Sequence, residues 1–153
     1  MAIIRWAPGV LPEPWFGRVS WVADGDTVRS SGDSGRRWVR LWGIDAPECG
    51  QAWFLESKAK LIELVWGKVI AWSPVSMDKY RRVVCRLVAP GGVDVGRAML
   101  ECGLAWWEPK WAVNDEVLHG AQTVARAARV GIWSTDNWGW APWVWRHRAR
   151  VGG

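Results

Sequence analysis

The sequence predicts an α+β domain in which five strands curl into a small barrel. Half of the 153 residues are apolar and 23% are charged, which is typical of a globular chain with one core. Hydrophobic periodicity indicates three strands, a helix, two strands and two further helices, in that order. Five strands that must cover a core without a long bare edge are expected to close on themselves.

Alternating apolar residues between turn residues predict the strands. The predicted strands cover residues 16–23, 27–31, 36–44, 68–75 and 82–89. In the third of them, period-two geometry places Trp38, Arg40 and Trp42 on one face and Val39 and Leu41 on the other. Arg40 is therefore expected to lie between aromatic side chains, with an aliphatic core behind it.

Apolar residues at helical spacing predict three helices, at 52–66, 95–102 and 114–129. Asp94 and Asn114 are candidate caps for the second and third helices. The predicted buried face of the first helix consists of Leu55, Ala59, Ile62 and Trp66. The predicted buried face of the third helix consists of Val117, Ala121, Val124 and Ala128.

The chain divides into an irregular arm at 1–15, a globular domain at 16–137 and a tail at 138–153. The tail alternates tryptophans with cations, and two interpretations are open. It could grip single-stranded nucleic acid by stacking and phosphate pairing. It could equally pack as a strip of tryptophans on the barrel, with a frayed basic end. The simplest interpretation of the 16 tryptophans is structural, as large side chains that fill a small core and the grooves around it, and base stacking by some of them stays open.

The formal charge of +5 suits a polyanionic partner, although charge alone does not separate this from an ordinary basic protein. Cys49, Cys85 and Cys102 lack zinc-site spacing, so free thiols are favoured over one bridge with a leftover thiol. No apolar run reaches membrane-spanning length, and the N-terminus lacks the pattern of a secretory signal. Localisation stays open between the cytoplasm, for the chain as it stands, and secretion after removal of a signal.

Three motifs, together with Arg40, carry the chemistry. Residues 24–27 (Asp-Gly-Asp-Thr) and 45–48 (Asp-Ala-Pro-Glu) supply carboxylates, whereas Arg40 and residues 78–82 (Asp-Lys-Tyr-Arg-Arg) supply arginines. Carboxylates bind a hard cation and arginines bind phosphate, so the set is typical of metal-assisted phosphodiester cleavage. Singly, each has a simpler explanation: a hairpin turn for 24–27, or a solvated or ion-paired side chain for Arg40. Their joint occurrence favours the functional interpretation.

At these motifs the chain resembles the staphylococcal (thermonuclease-type) nuclease family, from about residue 18 to 137. The matching stretches also include Gln51, residues 103–106 (Gly-Leu-Ala-Trp) and residues 131–137. The resemblance implies a five-stranded OB-type barrel with three α-helices. It further implies a calcium-dependent endonuclease that acts on DNA and RNA, cleaves the bond to the 5′ oxygen and leaves 3′-phosphate ends.

The resemblance also assigns site residues. Asp26 and Asp45 correspond to calcium ligands, the Ala46 backbone carbonyl to a further ligand, and Asp24 to a supporting acid. Glu48 matches the residue that positions or deprotonates the attacking water.

Arg40 and Arg82 match the pair of arginines that bind the phosphate. The predicted substrate-binding residues are Lys79, Tyr80, Arg81 and Trp107.

The sequence departs from the family pattern at three places. Arg81 stands where a glycine is common, the segment after Glu48 is short, and tryptophans replace tyrosines in residues 106–111.

Two further hypotheses stay open beside the enzyme. One is a non-catalytic nucleic-acid-binding module, and the other is a protein-interaction domain that uses exposed tryptophans. The presence of all the assigned acids and arginines favours catalysis. We expect DNA and RNA as partners, no membrane, no obligate protein partner and a monomer.

Overall fold

Within the residues that the structure describes, alternating and helical patterns produce eight strands, four α-helices and one 3-10 helix. The computed structural model describes residues 10–32, 35–135 and 141–152, so residues 1–9 of the predicted arm lie outside it. The strands are β1 (Trp15–Val22), β2 (Thr27–Ser31), β3 (Trp38–Leu41), β4 (Ile44–Asp45), β5 (Ile70–Met77), β6 (Val83–Ala89), β7 (Val93–Asp94) and β8 (Trp106–Trp107). The α-helices are α1 (Phe54–Val65), α2 (Val95–Glu101), α3 (Glu116–Ala127) and α4 (Pro142–Val151), and the 3-10 helix is Gly131–Ser134.

Five of the strands close into a barrel, as predicted. β1 pairs antiparallel with β2 and β5, β2 pairs with β3, and β5 pairs with β6. β3 then pairs in parallel with β6, which joins the two ends of the sheet. Val39 and Leu41 point into the buried core, as the alternation in β3 predicted. The result is the OB-type α+β fold.

The strand predicted at 36–44 is interrupted. β3 ends at Leu41, and the chain turns at Gly43 before the short β4. Gly43 has φ of +74°, and a Cβ atom there would lie 2.5 Å from the Leu118 side chain of α3. The turn lets β4 leave the barrel sheet and pair with β8 instead, with Asp45 opposite Trp106.

The buried face predicted for α1 is wrong. Leu55 is 73% exposed and Trp66 is 53% exposed, whereas Ser57, Leu61 and Val65 are the buried positions. The predicted and the observed faces both have helical spacing, but the observed buried face contains a serine and therefore looked polar in the sequence. The Ser57 hydroxyl is satisfied inside the protein, because it donates a hydrogen bond to the Leu104 carbonyl at 2.7 Å.

Asp94 caps α2 as predicted, because its side chain accepts a hydrogen bond from the Arg97 amide. The predicted cap of α3 is wrong by one residue, since Asp115 rather than Asn114 accepts from the Leu118 amide.

The predicted buried face of α3 is also wrong, except at Ala121. Val117 and Val124 are exposed, and Ala128 lies past the end of the helix on the surface. Leu118, Ala121 and Ala125 are buried instead. α3 packs against α2, and Ala125 also belongs to a second, smaller core.

A fourth helix replaces part of the predicted tail. α4 begins at Pro142, a position where proline is well tolerated because a helix's first amides have no intrahelical partner. Ala141 packs against a small second core formed by Trp106, Ala125, Ile132 and Trp133. Residues 136–140, which include Trp138 and Trp140 of the predicted tail, lie outside the described residues.

Helices in the described ranges lack the combined length and apolar character needed to cross a membrane.

Candidate active site

The turn between β1 and β2 fixes the orientation of Asp26. The buried Asp26 carboxylate accepts hydrogen bonds from the Ala46 amide at 2.7 Å and from the Thr27 hydroxyl at 2.8 Å. The Asp24 carboxylate accepts a hydrogen bond from the Asp26 amide at 3.0 Å and so stabilises the turn. Asp26 therefore joins this turn to the segment that carries Asp45.

Gly25 makes this contact possible. A Cβ atom at this position would overlap the Ser57 hydroxyl of α1 and would lie 2.8 Å from the Ala46 side chain. Glycine is suited to such close approach of the backbone. The segment 24–27 is thus a tight turn, and it also brings a carboxylate to the site.

The segment after β4 carries the predicted general base. Asp45 is fully buried beside β8. The Glu48 amide donates to the Gln51 side chain at 3.0 Å, and the Gln51 amide donates to the Glu48 carbonyl at 2.8 Å. These two bonds hold the short loop that follows Pro47.

Arg40 draws the predicted acids together. Its side chain is only 13% exposed, and its Nη1 lies 2.7 Å from Asp26 Oδ2. Its Nη2 lies 3.3 Å from Asp45 Oδ1 and 3.5 Å from Glu108 Oε2. One guanidinium therefore contacts carboxylates from three separate segments of the chain.

The aromatic surroundings predicted for Arg40 differ from the observed ones. The ring of Trp38 lies under Arg29 at 5.7 Å, and the ring of Trp42 lies near Arg86 at 5.9 Å. Trp42 falls beyond the end of β3, so its direction no longer follows the strand alternation. Carboxylates occupy the space around the Arg40 guanidinium instead.

Arg82 reaches the edge of this network. Its Nε donates to Asp78 at 2.7 Å, and its Nη1 donates to the Thr27 hydroxyl at 3.3 Å. Because Thr27 donates to Asp26, Arg82 is one residue removed from the buried aspartate. Asp78 also accepts from the Tyr80 and Arg82 amides, so it organises the turn that presents Arg82.

The predicted substrate-binding residues have different surroundings. Tyr80 is 68% exposed, with the Lys79 ammonium 5.0 Å from its ring. Arg81 is exposed and has φ of +64°, which agrees with a position where glycine is common. The Trp107 ring packs on His119 and its Nε1 donates to the Ala112 carbonyl at 2.9 Å, so packing already engages much of this side chain. Substrate binding by these four residues stays a prediction.

Two residues of the site were missed by sequence reasoning. Glu108 follows β8 and contacts Arg40. Arg146 of α4 donates to Asp45 at 2.6 and 3.0 Å and to Glu48 at 2.5 Å. The motifs around Asp45 do not indicate either contact. The cations of the tail did suggest that this segment binds negatively charged groups.

The pKa values of Asp24 and Asp26, in the turn between β1 and β2, are shifted in opposite directions. Burial and the negative charge of Asp26 raise the pKa of Asp24 to about 8, so Asp24 is mostly protonated at neutral pH. Burial alone would raise the pKa of Asp26 as well. Arg40 and the hydrogen bonds from Ala46 and Thr27 outweigh burial and lower the pKa of Asp26.

Burial also raises the pKa of Asp45, although hydrogen bonds from Arg146 oppose the rise. The pKa of Glu108 is raised by burial, against the attraction of Arg40. The carboxylates raise the pKa of Arg40 despite its burial, and hydrogen bonding to Asp45 raises the pKa of Arg146. Both guanidinium groups are therefore fully charged.

The donor set fits a hard divalent cation. The two guanidinium groups contact four carboxylates, namely those of Asp26, Asp45, Glu48 and Glu108, and Asp24 joins this network through the Asp26 amide. With Asp24 protonated, negative charge is still in excess. Oxygen ligands in such a setting are those that calcium prefers. Among the described residues, however, no group of three or more acidic, histidine or cysteine side chains is arranged to hold a metal ion. Guanidinium groups lie between the carboxylates instead.

Comparison with known families assigns the chain. Residues 38–135 match the family model described as Staphylococcal nuclease homologue. This match covers more than half of the sequence, and the chain belongs to that family.

Curated relatives agree with this assignment. An "Uncharacterized endonuclease" of Escherichia coli is 36% identical over 139 residues, covering 91% of this chain and 90% of the relative. A "Micrococcal nuclease" of Shigella flexneri is 30% identical over 143 residues, covering 88% and 82%. A "Staphylococcal-like nuclease CAN1" of Arabidopsis thaliana is 33% identical over 114 residues, covering 74% and 34%.

Proposed function

We propose that this protein is a calcium-dependent endonuclease that hydrolyses DNA and RNA and leaves 3′-phosphate ends. The observation that carries the proposal is the position of Arg40, whose guanidinium contacts Asp26 and Asp45 from distant segments. Family membership and the printed names of the relatives support nuclease activity. The acidic excess around Arg40 supports the use of a divalent cation.

Asp26, Asp45 and the Ala46 carbonyl would hold the cation, with Asp24 as a supporting acid. Calcium takes roughly 6–8 oxygen ligands, so these groups leave positions for water and a phosphate oxygen. A bound divalent cation lowers the negative charge on the phosphate and keeps water close to it. Asp26 is well suited to the ligand role, because its lowered pKa keeps it ionised.

Glu48 would orient the attacking water and accept its proton. The water oxygen forms a bond to phosphorus while the bond from phosphorus to the 5′ oxygen breaks. The 5′ oxygen takes up a proton from solvent and leaves as a hydroxyl, Glu48 returns its accepted proton to solvent, and the phosphate stays on the 3′ oxygen. This reaction makes no use of a 2′-hydroxyl, so DNA and RNA are both substrates.

Arg40 and Arg82 would stabilise the charge that grows on the phosphate oxygens. A guanidinium donates two parallel hydrogen bonds, which suits a five-coordinate phosphorus better than the single ammonium of lysine. Arg82 is already oriented by Asp78 and is less buried than Arg40. It is therefore the arginine more accessible to an incoming phosphate.

Digestion of single-stranded DNA and of RNA across a calcium titration tests the proposal. The fragments should carry 5′-hydroxyl ends, so a polynucleotide kinase should label them without prior phosphatase treatment. Chelation should stop the reaction. Cutting that continues without divalent cations, or fragments with 5′-phosphates, would contradict the proposed chemistry.

Glu48→Gln tests the proposed base. We expect kcat to fall by on the order of 10²-fold or more, as for general bases elsewhere. Glu56→Gln is the matched control, because Glu56 lies exposed in the first turn of α1. Near-normal cutting by Glu48→Gln would remove Glu48 from its assigned role.

A further inference from the structure

Arg146 contacts the two carboxylates that the proposed reaction needs most. Its two terminal nitrogens bind both oxygens of Asp45, at 2.6 and 3.0 Å, and one of them also binds Glu48 at 2.5 Å. Its side chain is 35% exposed, so solvent reaches the contact. A guanidinium thus lies between the predicted metal ligand and the predicted base.

Asp45 has little capacity left for another partner. Its Oδ1 is shared by Arg40 and Arg146, and its Oδ2 is bound by Arg146. A cation that binds Asp45 would have to approach an oxygen that already accepts from a positive group. Two positive charges at one carboxylate repel each other, and burial strengthens that repulsion.

We propose that Arg146 is a built-in competitor of the divalent cation, so that cation binding displaces its guanidinium from Asp45 and Glu48. The inference rests on the proposed function, because it uses the same carboxylates. Through its bidentate contact with Asp45, the Arg146 guanidinium supplies positive charge where the divalent cation would bind.

The start of α4 is packed against the protein, which keeps Arg146 near Asp45 when its side chain moves away. Ala141 packs against the small core that includes Trp106, the residue opposite Asp45 in the β4–β8 pair. Pro142 is buried, so the start of α4 is attached beside β8. Arg146 lies one helical turn farther along, within reach of Asp45. A side chain on an attached helix can leave a carboxylate and return to it.

Calcium binding by the full chain, measured calorimetrically at constant ionic strength, tests the competition. Arg146→Gln removes the competing charge, and we expect its calcium affinity to rise on the order of tenfold above wild type. Arg150→Gln is the matched control, because it removes a charge from the same exposed helix without touching the acids. We expect the control to change the affinity by less than about twofold.

Each outcome has a defined meaning. Equal or weaker calcium binding in Arg146→Gln would overturn the competition while leaving the proposed function intact. Absence of calcium binding in all three proteins would overturn both. Circular dichroism and melting curves establish that the variants are folded.

Nuclease kinetics separate a competitor from a phosphate-binding arginine. A competitor predicts that Arg146→Gln reaches half-maximal activity at a lower calcium concentration than wild type. If kcat falls and the calcium requirement stays unchanged, Arg146 binds substrate and the inference is wrong.

Coupling between two binding events is reciprocal, so calcium must also weaken the Arg146 contact. In the wild-type protein, addition of calcium should shift the guanidinium NMR signals of Arg146. An unshifted signal at saturating calcium would contradict displacement.

Discussion

Arg40 and Arg146 contact the same aspartate from different parts of the molecule. Arg40 belongs to β3, which is paired on both sides in the closed barrel, and its side chain is 13% exposed. Arg146 belongs to α4, and its side chain is 35% exposed. A guanidinium within the barrel is part of what holds the acids together. A guanidinium on the outer helix can be removed without opening the barrel.

Replacement of Arg40 by Gln should give the largest effect. The variant loses a group that stabilises developing charge, so we expect kcat to fall on the order of 10²–10³-fold. It also removes the buried positive charge that neutralises Asp26 and contacts Asp45, which should lower the free energy of unfolding by about 3–5 kcal/mol. Steady-state kinetics and urea denaturation measure the two effects. Arg29→Gln, on the neighbouring strand β2, is the control. Similar losses of kcat and stability in Arg29→Gln would show that the effect is not specific to Arg40.

The pH dependence of stability should report on the Arg40 side of the site. Asp24 has a pKa of about 8 in the folded protein, so between pH 4 and pH 8 the folded state binds more protons than the unfolded state. The stability contributed by this proton is complete below about pH 4 and is lost as the pH rises through about 8.

Asp24→Asn keeps an oxygen that can accept from the Asp26 amide, and it removes this titration. In metal-free buffer, wild type should lose roughly 3–4 kcal/mol relative to the variant between pH 5 and pH 8. Melting curves at several pH values measure the difference. Parallel curves for the two proteins would contradict the raised pKa, and Arg146→Gln should keep the wild-type slope.

Replacement of Arg146 by Gln should have the smallest effect on the fold. The Arg146 side chain is 35% exposed, and the buried Asp45 keeps Arg40 as a partner, so we expect the free energy of unfolding to change by less than about 2 kcal/mol. Urea denaturation in metal-free buffer measures this change. A loss as large as that of Arg40→Gln would erase the distinction between the two arginines and would make α4 part of the structural core.

The barrel could be predicted because its signals are local, whereas the roles assigned to the acids stay predictions. Strand alternation reports which side chains enter the core, and it placed Val39 and Leu41 correctly. Gly43 divides the strand predicted at 36–44 in two, so Asp45 lies in β4 and not in the barrel sheet. Asp26 and Asp45 do converge on Arg40, as their assignment required.

The remaining features depend on contacts that leave no local pattern. The buried face of α1 includes Ser57, whose hydrogen bond to Leu104 is invisible to a hydrophobic stripe. The buried face of α3 uses small alanines, so larger valines nearby suggested the wrong side. The contact between Arg146 and Asp45 joins residues far apart in the sequence, and no period or spacing indicates it.

The parallel pairing of β3 with β6 has a consequence for the order of folding. Neighbouring strands such as β1 and β2 meet across a short turn, whereas the closing pair joins distant parts of the chain across α1 and β5. Closing a long loop costs entropy before its contacts form, which slows that step. Arg40 lies in this late-forming seam, so a refolding chain should acquire native secondary structure before it becomes competent to cut.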